Sequence, residues 1–136
     1  MEQLEIVSSA GHRAGVTILH IKGPLTLGTL SRFQEAAKDP EVRHIVLDLS
    51  GVSRIDSAGL GVLLAHWAHT RRHKFGMAIA GMSERVRMIF EITRTDKLLP
   101  IFANTEAAEA GLKFPEGYGP LVTGGRASGR PPLPCR

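Results

Sequence analysis

The sequence predicts an α/β domain, a mixed sheet of about five strands packed by about four helices. Three observations carry this expectation. From residue 45 onward, short apolar runs alternate with segments of helical periodicity, the pattern of strands and helices stacked in layers. Ahead of that stretch stand two strand-like segments with no helix between them, which implies an antiparallel hairpin added to the sheet. The length of 136 residues suits one domain with a core of its own.

The elements follow in order. Leu4, Ile6 and Ser8 alternate with polar neighbours, as on a half-buried strand. Gly11 and Gly15 bracket a turn. Val16, Ile18, His20 and Lys22 then alternate with Thr17, Leu19 and Ile21, a second and more buried strand that Gly23-Pro24 ends. Leu27, Leu30, Phe33 and Ala37 take helical spacing, and Asp39-Pro40 closes that helix. Ile45-Val46-Leu47-Asp48-Leu49 is a compact β-branched run that fits a central strand. Ser57 to His73 reads as the longest helix, with Leu60, Leu63, Leu64 and Trp67 on one face. Gly76 to Ala80 is a short strand, and Ser83 to Thr93 a helix whose Val86, Ile89, Phe90 and Thr93 share a face. Ile101-Phe102 is the last strand, and Asn104 caps a final helix through Ala107, Ala108 and Leu112.

Composition narrows the function. Hydrophobic residues make up 43% and charged residues 22% of the chain, an ordinary globular balance. No run of about 18 apolar residues is present, so no membrane insertion is expected. The acidic start, Met1-Glu2-Gln3-Leu4-Glu5, lacks the layout of a signal peptide. The single cysteine, Cys135, cannot form an internal disulfide, so residence in the cytoplasm is expected. The domain is placed at 1–113. Beyond it, 114–136 alternates prolines with glycines and is expected to be a flexible tail. That tail holds three arginines against one glutamate, half of the formal net charge of +4. The remainder is close to neutral, which argues against a nucleic-acid partner.

The informative stretch runs from Ile45 to Leu64. A strand leads into a loop, and the loop delivers Asp56-Ser57 to the start of a helix. Ala58, Gly59 and Gly61 follow, and each glycine there costs about 1 kcal/mol of helix stability relative to alanine. Such a cost is tolerable where another backbone must come close, which points to a contact surface. A phosphate on Ser57 would sit at the positive end of the helix, beside the charge of Asp56. On helix chemistry alone, Asp56 or Ser57 is simply the N-cap.

Asp56-Ser57-Ala58-Gly59-Leu60-Gly61-Val62-Leu63-Leu64 resembles the signature of STAS domains, the anti-sigma factor antagonists and their relatives. The preceding Ile45–Leu49 strand, the segment Gly76 to Ser83 and the helix through Phe90 fit the same pattern, so the resemblance covers about residues 4–112. It implies a protein that binds an anti-sigma factor of the serine-kinase type, with no catalysis and no cofactor. The kinase would phosphorylate Ser57 and so release the antagonist. Asp56, Ser57, Ala58, Gly59, Leu60, Gly61 and Val62 would form the docking corner, with Gly23, Thr26 and Arg54 beside it. Gly23-Pro24-Leu25-Thr26 departs from the acidic Gly-Glu-Leu-Asp-like sequence of many antagonists, so the contacts of that acidic residue do not carry over. The same resemblance is compatible with a cytoplasmic subunit of a lipid-transporting ABC system, in which Ser57 is an interface residue without phosphate. Monomer and weak dimer both remain open.

Two other constellations stand out in the sequence. His66, His69 and His73 fall within an arc of about 60° on one helix, but Arg71, Arg72 and Lys74 oppose a dication there, so a solvated face is expected and no metal. Ser57 stands at a strand–helix junction as a hydrolase nucleophile does. However, Ile55 occupies the position where a nucleophile elbow needs glycine.

Overall fold

The computed structural model describes residues 3–112. The expected tail over 114–136, with Cys135, lies outside them. Five strands form one sheet: β1 (Glu5–Ala10), β2 (Val16–Leu25), β3 (His44–Ile55), β4 (Met77–Ala80) and β5 (Ile101–Phe102). Their spatial order is the chain order. β1 and β2 are antiparallel, and every later neighbour is parallel. Parallel neighbours need crossovers. Three helices supply them: α1 (Leu30–Ala37), α2 (Ser57–Arg72) and α3 (Glu84–Ile92). A fourth, α4 (Thr105–Gly111), follows β5. The α/β class, the mixed sheet of five strands and the four helices are those the sequence predicts.

The faces of the sheet divide by parity. Leu19, Ile21, Ile45, Leu47, Leu49 and Ile79 point to one side, where Phe33 of α1, Leu63 of α2 and Phe90 of α3 meet them. Val16, Ile18, Val46, Ala78 and Ala80 point to the other, under Ala108 of α4 and Leu112. The first part of β3, His44 to Leu47, is covered on both faces, which is why the sequence there reads as a continuous apolar run and not as alternation. The Arg13 guanidinium donates to the carbonyls of Glu109 (2.8 Å) and Leu112 (3.0 Å) and so holds the end of α4 to the β1–β2 turn.

Two strands outrun the prediction. β2 continues through Gly23-Pro24 to Leu25, and β3 continues past Leu49 to Ile55. The β2–β3 register slips between His20 and Lys22 and again between Gly23 and Pro24. Pro24, which has no N–H to give, is accommodated at the second slip. The extra residues pair Leu25 with Ile55. Two strand ends therefore arrive side by side at one corner, and that corner is the candidate site.

Candidate functional site

Asp56 is the only residue between β3 and α2. It has extended backbone (φ −111°, ψ −175°) and caps the helix. Its Oδ1 accepts from the Gly59 N–H at 2.8 Å, and its Oδ2 accepts from the Leu27 N–H at 3.1 Å. One carboxylate thus ties the helix start to the β2–α1 loop. The Gly59 N–H hydrogen bond, opposed by slight burial and joined by that from Leu27, holds its carboxyl below the usual range. Asp56 is anionic here, facing the positive end of α2.

Ser57 is the first helical residue, and it is exposed. The first-turn N–H groups of a helix have no partner within it. A phosphoryl group on Ser57 Oγ would meet those donors and, at the same time, the Asp56 carboxylate. The loop beside it is internally braced. Thr29 Oγ1 donates to the Pro24 carbonyl (2.8 Å) and accepts from the Thr26 N–H (3.0 Å). The Thr26 carbonyl accepts from the Thr29 and Leu30 N–H groups. At the tip of this loop Leu27 is 74% exposed. Helical spacing includes Leu27 with Leu30, Phe33 and Ala37, but the helix starts at Leu30 because Thr26–Thr29 close a turn of their own. Leu27-Gly28 between two threonines is the signal that could have marked it as loop.

The predicted site residues separate into groups. Thr26, Asp56, Ser57 and Ala58 gather at the corner. Arg54 is exposed and sits on β3 opposite Pro24, on a strand and not on the expected loop. Gly61 is exposed, and a Cβ there would meet nothing within 4 Å. Gly59 differs: a Cβ there would lie 2.1 Å from the Leu25 carbonyl oxygen. The close approach that Gly59 permits is to this chain's own β2. Leu60 and Val62 are buried in the core, so their side chains face away from the corner surface. Gly23 (φ +107°) lies further back on β2, where a Cβ would be 2.4 Å from the Gln3 carbonyl oxygen.

The histidine arc, expected to be a solvated face, is exposed at His73 but packed at His66. α1 crosses α2 at His66, whose ring meets Phe33 edge-on at 5.8 Å and 87°. Burial, and then the neighbouring His69, lowers the His66 pKa to about 4. The rings continue as a ladder, His66 to His69 at 5.5 Å and His69 to His73 at 4.4 Å. Among the described residues no group of three or more His, Cys, Asp or Glu is placed to hold a metal ion.

Residues 8–108 match the STAS domain family model, and the chain belongs to that family. It is 31% identical over 97 residues to the anti-sigma F factor antagonist of Paenibacillus polymyxa, a match covering 68% of this chain and 83% of that protein. It is 31% identical over 86 residues to an anti-sigma-B factor antagonist of Listeria monocytogenes, covering 61% and 75%. Its fold resembles that of a putative anti-sigma factor antagonist from Thermotoga maritima, with a TM-score of 0.71 at 22% identity over 77% of this chain and 92% of the other. Among the described residues no helix is long and apolar enough to cross a membrane.

Proposed function

We propose that this chain is an anti-sigma factor antagonist that binds a serine-kinase anti-sigma factor and is switched off by phosphorylation of Ser57. It acts in the cytoplasm by reversible binding, without catalysis, cofactor or nucleic acid. The observation that carries this reading is the exposed Ser57 at the first position of α2, beside an Asp56 carboxylate already fixed by two backbone N–H groups. The names of the relatives support the choice of partner.

The geometry supplies a mechanism. Asp56 locks the β2–α1 loop to the helix start, so the corner needs little ordering when a partner docks. The partner would meet Thr26, Leu27, Arg54, Ser57 and the open surface at Gly61. A phosphate adds about −1.5 to −2 charges at the centre of that surface. Like-charge repulsion and bulk then dissociate the complex, while the fold, anchored by the core beneath, remains intact.

The test uses the full chain and the serine-kinase anti-sigma factor of its host. Kinase with ATP is expected to add one phosphate, mapped to Ser57. Titration calorimetry is expected to show tight binding by Ser57→Ala and binding weakened at least about tenfold by Ser57→Asp, roughly 1.4 kcal/mol or more. Equal binding by both variants would overturn the switch.

A further inference from the structure

The face of the sheet opposite α2 carries a second serine in an unusual setting. α4 packs on that face over β3, β4 and β5. α4 and Leu112 also cover Val16 and Ile18 at the start of β2, but beyond them, at Val7, Ser9 and His20, the face is open, and Val7 is 63% exposed. Three side chains cross the opening in a line. Ser9 Oγ lies 3.0 Å from His20 Nε2. His20 Nδ1 lies 2.8 Å from Asp48 Oδ2. The other Asp48 oxygen accepts from the Ser50 N–H at 3.0 Å.

The protons in this line are determined by chemistry. Burial alone would raise the Asp48 pKa, but the hydrogen bonds from Ser50 and His20 outweigh it and hold the carboxyl below its ordinary value. An ionised carboxylate only accepts, so His20 Nδ1 carries a proton toward Asp48. In the neutral imidazole Nε2 is then the acceptor, and the Ser9 hydroxyl donates to it. That connectivity, a serine hydroxyl on the free nitrogen of an imidazole oriented by a buried-side carboxylate, is what activates serine nucleophiles. The strands enforce it. Val7 pairs with His20 and Ser9 with Ile18 across β1–β2, and His20 pairs with Asp48 across β2–β3. Ser9 itself is exposed, on an edge strand with no further neighbour among the described residues.

We propose that Ser9 is a second covalent modification site, a nucleophile that takes an acyl group from activated acyl esters. Ser9 Oγ attacks the carbonyl carbon as its proton passes to His20 Nε2. The alkoxide or phenoxide leaves and takes up that proton, and an ester of Ser9 remains. Asp48 is a positioning residue that fixes the tautomer of His20. The site does not depend on Ser57, which lies at the start of a helix on the opposite layer.

The test is incubation of the full chain with p-nitrophenyl acetate, followed by intact mass and peptide mapping. One acetyl group on Ser9 is expected, formed about 100-fold more slowly in His20→Ala and absent from Ser9→Ala. In Asp48→Asn the amide donates to Nδ1, which moves the ring proton to Nε2. Nitrogen-15 spectra of the His20 ring should show that change of tautomer, and the acetylation rate should fall with it while the melting temperature stays near that of the parent chain. Acetyl groups on lysines with Ser9 unmodified would overturn the proposal. So would acetylation of Ser9 at the same rate in His20→Ala.

Discussion

Gly59 and Gly61 stand two residues apart in the first turns of one helix, and the structure assigns them opposite responses to alanine. At an open helical position, glycine to alanine gains about 0.5–1 kcal/mol, because the unfolded chain loses less entropy on folding. Gly61 is such a position, with nothing within 4 Å of the added carbon. At Gly59 the same carbon would lie 2.1 Å from the Leu25 carbonyl oxygen and 2.8 Å from its carbon. These are backbone atoms of β2, so no side chain can rotate away, and α2 must move off the sheet. Forcing volume into a packed site costs about 1–3 kcal/mol or more, which exceeds the propensity gain. Gly61→Ala should therefore raise stability by about 0.5–1 kcal/mol, and Gly59→Ala should lower it by about 1–2 kcal/mol. With an m-value of about 2 kcal/mol per molar urea, the midpoints of the two variants should differ by about 1 M. Urea unfolding followed by far-UV circular dichroism reads this directly. A Gly59→Ala chain as stable as the parent would show that α2 and β2 are not in the contact described. Gly61→Ala adds a second readout: if the exposed surface there meets the partner, this variant binds less tightly although it is more stable.

Three further outcomes follow from particular contacts. Asp56→Ala removes the helix cap and the link to Leu27, for a loss of about 1–2 kcal/mol; urea unfolding checks it, and Asp56→Ser, able to cap but too short to bridge to the loop, should recover part. Arg13→Ala frees the carbonyls of Glu109 and Leu112 and should cost about 1–3 kcal/mol, with amide exchange in α4 accelerating before that in β3. His44, buried first of all and also facing Arg13 and Arg43, and His66, half-buried against α1, each have a pKa lowered from 6.5 to about 4. Between those values the unfolded chain binds more protons than the folded one, so stability is full above about pH 6.5 and declines as pH falls toward 4. Equal urea midpoints at pH 7 and pH 5 would contradict the packing of both rings.

The sequence showed its layers because a strand buried on both faces must be apolar residue after residue, and Ile45 to Leu47 could hardly be anything else. It hid the ends of β2 and β3. Gly23-Pro24 is a stop by local rules, and only the slipped register with β3 lets the strand pass through it. The corner was legible as Asp56-Ser57 because a cap residue and the small residues behind it are local in the chain. The two glycines were not separable, since one is required by a backbone 34 residues earlier and the other by nothing within reach. The same reason hid the open-face line of Ser9, His20 and Asp48. Its members are far apart in the chain and meet only when an antiparallel and a parallel pairing place them across three strands. Spacing within a helix reveals a site like the histidine arc, yet that arc proved to be packing at His66. A site built across strands has no spacing to reveal it, so in this fold the open sheet face is where sequence patterns are least informative and side-chain geometry most so.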